Sequence, residues 1–479
     1  MALEDRSRWL ALYVLCLGTL MIVLDVTIVN VALPSIKDDL GFTQASLAWV
    51  VNAYLLTYGG FLLLGGRLGD LFGHRRLFLL GLSLFTAASL WCGLSTSEGM
   101  LIVARSVQGI GGAIVSAVSF GLVMTLFTEP AERAKAMGIA GFVASGGGTI
   151  GVLLGGVLTD TLNWHWIFLV NLPIGAVVIL LSLRLLPPTP GHAAGESIDF
   201  GGAVTVTGAL MLAVYAIVNG NQAGWASGQT LGMLAGAVAL LGLFVVIESR
   251  VRQPLMPLRL FKLRNVATAN GVAVLWAAAM FAWFFMSALY LQLVLGYTPL
   301  QVGLAFVPSN IIMGALSIGV SAKLVMRYGI KRPLGTGLLV AAVGLALFAR
   351  APVDGNFIID VLPSMILLGF GAGIAFNPVL LAAMNDVEPQ EAGLASGFVN
   401  TSFMMGGALG LAVLASIAAS RSNHLLAAGN GNLSALLGGY HLAFIVGAVF
   451  ATAAAALGVG VLRVGQAPAF EGEPVSAEV

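Results

Sequence analysis

Charge is the scarcest property of this chain. Only 9% of its 479 residues are Asp, Glu, Lys or Arg, where soluble domains carry about 25%. No polar stretch between the apolar runs is long enough to fold as a soluble domain. Two cysteines are present, Cys16 and Cys92, both inside apolar runs. That excludes a disulfide framework or a thiolate metal site and leaves them as small packing residues. His74, His165, His192, His424 and His441 are scattered in or near loops, so they suggest no metal site either. No phosphate-binding G-x-x-x-x-G-K-S/T loop occurs, which argues against direct nucleotide hydrolysis.

What is abundant is apolar sequence: 58% of residues are hydrophobic and the mean hydropathy is +0.98. A membrane-spanning helix needs about 20 such residues. Fourteen segments qualify, at about 10–33, 46–66, 77–95, 100–127, 136–158, 166–186, 201–218, 231–248, 266–294, 301–325, 334–350, 358–383, 393–419 and 437–462. The first is too long for a cleaved signal and lacks a clear cleavage site, so it is expected to remain as a span. With both termini cytoplasmic, most of the 22 Lys and Arg residues fall inside. Lys37, Arg350 and Arg421 fall outside, and Arg105 lies within a helix. This inside bias fits an even count, because dropping one helix would scramble the alternation.

The longest connections, Pro187–Ser197 and Glu248–Asn265, bracket the seventh and eighth segments. These two look inserted. The expected fold is an all-α integral membrane protein of 14 transmembrane helices: two pseudo-symmetric six-helix bundles plus two inserted central helices. Residues 1–186 form the first bundle, 187–265 the linker with the inserted pair, and 266–479 the second bundle with a short cytoplasmic tail. An internal repeat agrees. GGRLGDLFGHRR (Gly65–Arg76) aligns with SAKLVMRYGIKR (Ser321–Arg332), each following the second helix of its half, and the fifth and thirteenth segments echo each other. Two related halves suit a transporter that rocks around a central site.

Candidate functional residues follow from polar groups at depth. Asp25 lies in MIVLDVTIVNVALP, where an ionised carboxylate is costly. Thr27 and Asn30 share a helical face, and Asp25 is turned from it by roughly 140–200°. Either Asp25 faces a translocation path and Asn30 packs between helices, or the reverse holds and Asp25 is a structural hydrogen-bonding residue. Arg105, Gln108, Gly109 and Gly112 share one face of the fourth span. A buried guanidinium needs a carboxylate or carbonyls, unless it snorkels to the nearby outer end. Gly147, Gly151 and Gly155, with Gly148 and Gly156 beside them, allow close helix approach. In LWAAAMFAWFFMSALYLQ, the stripe of Trp276, Met280, Trp283 and Ser287 suits either a bulky ligand or packing. The second half has no carboxylate at clear depth; its polar candidates are Gln292, Asn310, Asn377 and Asn400. The expected cavity residues are therefore Asn30, Gln108, Trp276, Met280, Trp283, Gln292, Asn310, Asn377 and Asn400.

LDVTIVNVALP, GGRLGDLFGHRR, RSVQGIGGA and WHWIFLVNLPIG, taken in order, resemble the major facilitator superfamily. They are most similar to its fourteen-helix drug:proton antiporter branch of multidrug efflux type, over nearly the whole chain. The resemblance implies a role in proton coupling for Arg105 beside Asp25. It implies that the loop of Gly66, Arg67, Gly69, Asp70, Gly73, Arg75 and Arg76 latches the halves in the outward-open state through Asp–Arg contacts and a helix N-terminus. Three departures stand out. Val152 occupies a position where that branch usually has proline, and His165 stands where arginine is expected. Phe403 and Met404 stand where relatives often place arginine or glutamine, which predicts a more apolar second-half cavity. The implied protein is no enzyme and needs no cofactor beyond the proton gradient. It is a monomeric, multi-pass bacterial cell-membrane exporter of lipophilic drug-like compounds, with protons and the bilayer as partners and no nucleic acid. The alternatives are a dedicated exporter of one metabolite or antibiotic, a proton-coupled importer on the same fold, or a non-transporting membrane sensor.

Overall fold

The computed structural model describes residues 5–127, 129–188, 199–251, 254–385, 387 and 392–463. Among them every regular element is helical. The N-terminal set comprises α1 (Asp5–Leu40), α2 (Trp49–Phe72), α3 (His74–Gly93), α4 (Glu98–Leu126), α5 (Pro130–Thr161), α6 (Trp166–Leu169) and α7 (Asn171–Leu185). Next come α8 (Phe200–Ala223) and α9 (Gly228–Arg250). The C-terminal set comprises α10 (Arg264–Leu289), α11 (Pro299–Ala315), α12 (Ser321–Tyr328), α13 (Lys331–Phe348), α14 (Leu362–Met384), α15 (Ala392–Ala427) and α16 (Asn432–Val461).

Twelve stretches of the described residues are long and apolar enough to cross a membrane. The other two expected spans, 136–158 and 301–325, fall on α5 and on the α11–α12 rod, which are not among the twelve. The α11–α12 rod is broken by a π turn at Leu316–Val320, so α11 is only 17 residues long.

Local chemistry starts and stops these helices. Ser97 and Ser227 cap α4 and α9 through their side chains, and Thr298 and Gln301 form a capping box on α11. The two copies of the repeated loop use the same device. At Gly73 (φ 93°) and Gly329 (φ 75°) the backbone takes a positive φ, and a new helix follows at once. Side-chain-bearing residues adopt that conformation only with strain.

Lipid tails are as apolar as leucine, so helix association in a bilayer rests on close packing. In the N-terminal set α1 packs along α5, and α4 packs on both α2 and α3. In the C-terminal set α10 packs on α15 and α16, and α13 on α14 and α16. Two seams join the sets: α2 against α15, and α5 against α11. The inserted pair breaks their equivalence. Helix α8 lies on both α2 and α15, and α9 packs on α8. Helix α9 is the least buried of the twelve candidate spans.

Candidate functional site

Asp25 and Arg105 are 0% and 1% exposed, and they bond directly: Arg105 Nη1 donates to Asp25 Oδ2 at 2.5 Å. The same nitrogen donates to Gln108 Oε1 at 2.6 Å, and Nε donates to the Val50 carbonyl at 3.0 Å. Gln108 Nε2 donates to Asp25 Oδ1 at 2.6 Å and to Ser89 Oγ at 2.8 Å. Asn171 Nδ2 adds bonds to the same two acceptors at 3.2 and 3.4 Å. The Tyr54 ring lies 4.4 Å from the guanidinium carbon and the Phe168 ring 5.5 Å. Helices α1, α2, α3, α4, α6 and α7 thus converge on one carboxylate. This is how a charge survives at depth: an ion pair whose remaining donors and acceptors are also satisfied.

On α1 it is the Thr27–Asn30 face, not Asp25, that meets a central cavity, while Asp25 turns away into the N-terminal set. Arg105 does not snorkel; its guanidinium points into the cluster. Three members were given no role from the sequence, although Asn171 lies in the WHWIFLVNLPIG motif. Ser89 and Asn171 are isolated small polar residues, and Tyr54 reads as one aromatic among many.

The cavity, about 300 Å³, lies between the N- and C-terminal sets. Of the expected lining residues, Asn30, Trp276, Met280 and Asn310 are there. Phe281, Phe284, Phe376, Phe403 and Met404 fill out an aromatic and sulfur-rich wall, and no lining residue is charged. The other expected residues lie elsewhere. Gln108 is spent inside the buried cluster. Trp283 turns toward Phe306, 6.3 Å between ring centroids, while its neighbour Phe284 takes the cavity position. Gln292 donates to the Val31 carbonyl at 2.9 Å, tying α1 to the end of α10. Asn377 donates to the Ser317 carbonyl, 2.6 Å away in the π turn. Asn400 lines only a side pocket of about 10 Å³.

The α5 glycines act at two places. A Cβ on Gly155 would come within 2.7 Å of the Ile28 carbonyl, and one on Gly151 would collide with Thr27 and come within 3.0 Å of the Leu24 carbonyl. Gly147 sits against Leu20 and Val23. These positions hold α5 on α1. Gly156 instead faces α11, where a Cβ would be 2.7 Å from the Pro299 carbonyl and 2.9 Å from Leu300 Cα. Gly303 returns the contact: a Cβ there would lie 2.9 Å from the Val152 carbonyl. So the non-proline residue at 152 sits in the seam itself. At this end Gln44 also donates to the Tyr440 hydroxyl at 3.0 Å. The seam is sealed here and parts toward Gly148 and Ser317, both of which line the cavity.

At the opposite end, Asp70 pairs with His74 at 3.3 Å rather than with an arginine. Arg75 donates to the Leu183 carbonyl at 2.6 Å, within the N-terminal set. Gly69 is packed on Val118 and His74, but Gly66 has only ordinary contact, with Ala117 at 3.9 Å. Residues 388–391, just before α15, lie outside the described residues. Trp164 donates to Asp39 at 2.9 Å and stacks on His165 at 3.8 Å, while Trp166 is exposed.

An all-helical bundle of many apolar spans, with a central cavity and a charge pair buried beside it, is the architecture of a membrane transporter. The fold matches that of the nucleoside transporter NupG with a TM-score of 0.66 at 13% identity, covering 95% of this chain and all of the other. The family model of the Major Facilitator Superfamily matches residues 15–411, and the chain belongs to that family. It is 37% identical to the puromycin resistance protein pur8 of Streptomyces alboniger, over 94% of this chain and 90% of the relative. It is 38% identical to the cephamycin export protein CmcT of Amycolatopsis lactamdurans, over 93% and 91%. The multidrug resistance protein Stp of Mycobacterium tuberculosis is 37% identical, over 87% and 77%.

Proposed function

We propose that this chain is a proton-coupled exporter of lipophilic, drug-like compounds. It works by alternating access, with 14 spans, two six-helix halves and both termini in the cytoplasm. The carrying observation is the separation of roles within one bundle. An uncharged aromatic cavity can hold a bulky apolar molecule, while the only ion pair found at depth among the described residues lies beside it at Asp25 and Arg105. In this reading Asp25 takes and releases the proton, and Arg105 stabilises its charged form. The sealed α5–α11 seam is the outer gate, and the 66–76 loop is the inner latch. Resistance and export relatives support the direction of transport.

Everted vesicles test it. Adding substrate to vesicles with an established acid interior should collapse part of the gradient, and Asp25→Asn should abolish that collapse. Substrate accumulation with no pH response would reject proton coupling. A second reading, export of a single antibiotic, is favoured by the two relatives named for puromycin and cephamycin, which match over more of their length than Stp does. Expression in an efflux-deficient host against a panel of unrelated toxins separates the two: resistance to one compound supports the second reading, resistance to several the first.

A further inference from the structure

Tyr54 belongs to both parts of the site. It lines the cavity, and its ring lies on the Arg105 guanidinium at 4.4 Å. Asp25 and Arg105 themselves do not line the cavity. Its hydroxyl is buried and has no hydrogen-bond partner among the described residues. Neighbouring Tyr58, stacked on it at 5.8 Å, is anchored through Ser116. Helix α4 is shaped around Tyr54. A Cβ on Gly112 would be 2.7 Å from the Tyr54 hydroxyl, and one on Gly109 would be 2.5 Å from the Tyr54 carbonyl and collide with Thr57. Two of the three glycines of RSVQGIGGA, Gly109 and Gly112, therefore make room for this tyrosine.

We infer that Tyr54 is the positioning residue that couples cavity occupancy to the protonation of Asp25. The inference rests on the proton-coupled reading above. An apolar occupant holds the ring against the guanidinium by filling the space the ring would otherwise move into. The ring's electron-rich face then keeps Arg105 on Asp25, which favours the carboxylate. When the cavity empties, no hydroxyl bond restrains the ring. Arg105 relaxes, and Asp25 accepts a proton from solution. The titratable groups facing Asp25 are Arg105 on α4, Cys92 on α3 and Tyr54 on α2. Among these, only Tyr54 also lines the cavity. The Tyr54 ring lies nearest the guanidinium, at 4.4 Å against 5.5 Å for Phe168, which does not line the cavity.

The test fills the cavity without knowing the substrate. Both native cysteines are buried, so Met404→Cys, in the cavity wall, can be labelled with pyrenylmaleimide. Infrared spectroscopy of the full chain in liposomes then follows the protonated Asp25 carboxyl band, assigned by its loss in Asp25→Asn. At the pH where the unlabelled protein shows half of this band, labelling should reduce it at least threefold, the proton leaving to the buffer. Tyr54→Phe keeps the ring and should keep this response. Tyr54→Leu keeps an apolar wall but loses the aromatic face, and the response should fall below 1.5-fold. A full response in Tyr54→Leu, or none in the parent, overturns the inference. Absence of the Asp25 band at every accessible pH overturns the proton-coupled reading itself. Those outcomes differ.

Discussion

Gly156→Ala should open the sealed end of the bundle. The added methyl carbon would lie 2.7 Å from the Pro299 carbonyl and 2.9 Å from Leu300 Cα, against 3.4 Å for an ordinary contact. Both obstacles are backbone atoms, so no side chain can rotate aside, and α5 and α11 must separate by about half an ångström or more. Overpacking of this kind costs about 1–3 kcal/mol. A state in which α5 and α11 have parted escapes that cost. The ratio of parted to sealed molecules should therefore rise about 5- to 150-fold. Spin labels at Leu162→Cys and Leu304→Cys report it, since both side chains are exposed and both native cysteines are buried. Pulsed dipolar spectroscopy should show a longer-distance population growing at the expense of the shorter. Two controls fix the interpretation. Gly146 has nothing within 4 Å, so Gly146→Ala should leave the distances unchanged. Gly151 faces α1, so Gly151→Ala should lower the melting temperature without shifting them. A Gly156→Ala protein with the parent's distance distribution would refute the argument that this glycine sets the seam.

Asp25→Asn and Arg105→Leu should each destabilise the protein by about 3–5 kcal/mol, because each leaves a buried group without its charge partner. Thermal unfolding of the double variant should show about 1–3 kcal/mol less loss than the sum of the two. Gly73→Ala and Gly329→Ala should each cost about 1–2 kcal/mol, since both residues have positive φ; equal losses in melting curves would mark the two turns as equivalent. Tyr440→Phe removes the bond from Gln44, a net effect of about 0.5–1.5 kcal/mol. The same spin-label pair should register it as a 2- to 13-fold rise in the parted state.

Legibility in the sequence followed the physics of each feature. Helix positions were readable because a bilayer demands long apolar runs. The repeat was readable because Gly73 and Gly329 occupy the same backbone turn, which few residues other than glycine can make. Asp25 and Arg105 stood out because buried charge is rare, though the sequence left open whether Arg105 meets a carboxylate, backbone carbonyls or the outer interface. What the sequence could not say was which neighbour each helical face meets. Gln108 shares a face with Arg105, but nothing in its spacing separates a cavity from a packed interior. Trp276 and Trp283 are seven residues apart, on one stripe and about 10 Å apart in depth. Helix α10 is buried on most sides, so the stripe reaches the cavity at Trp276 and Met280 but not at Trp283. Gln292 and Asn377 went to carbonyls of other segments, contacts that depend wholly on tertiary placement.

The inserted pair has a mechanical consequence. A symmetric two-halved machine has two equivalent flanks through which its interior could meet the lipid. Here one flank carries α8 and α9 as a buttress, with Gly60 close-packed on Thr207 and Asn221 bonded to Ser416 at 2.8 Å. Widening that flank means moving two further helices and shearing the contacts that hold them, whereas the other flank has no such burden. On the proposed alternating-access reading, the flank without α8 and α9 is the one expected to widen, on the side where Gly148 and Ser317 line the cavity.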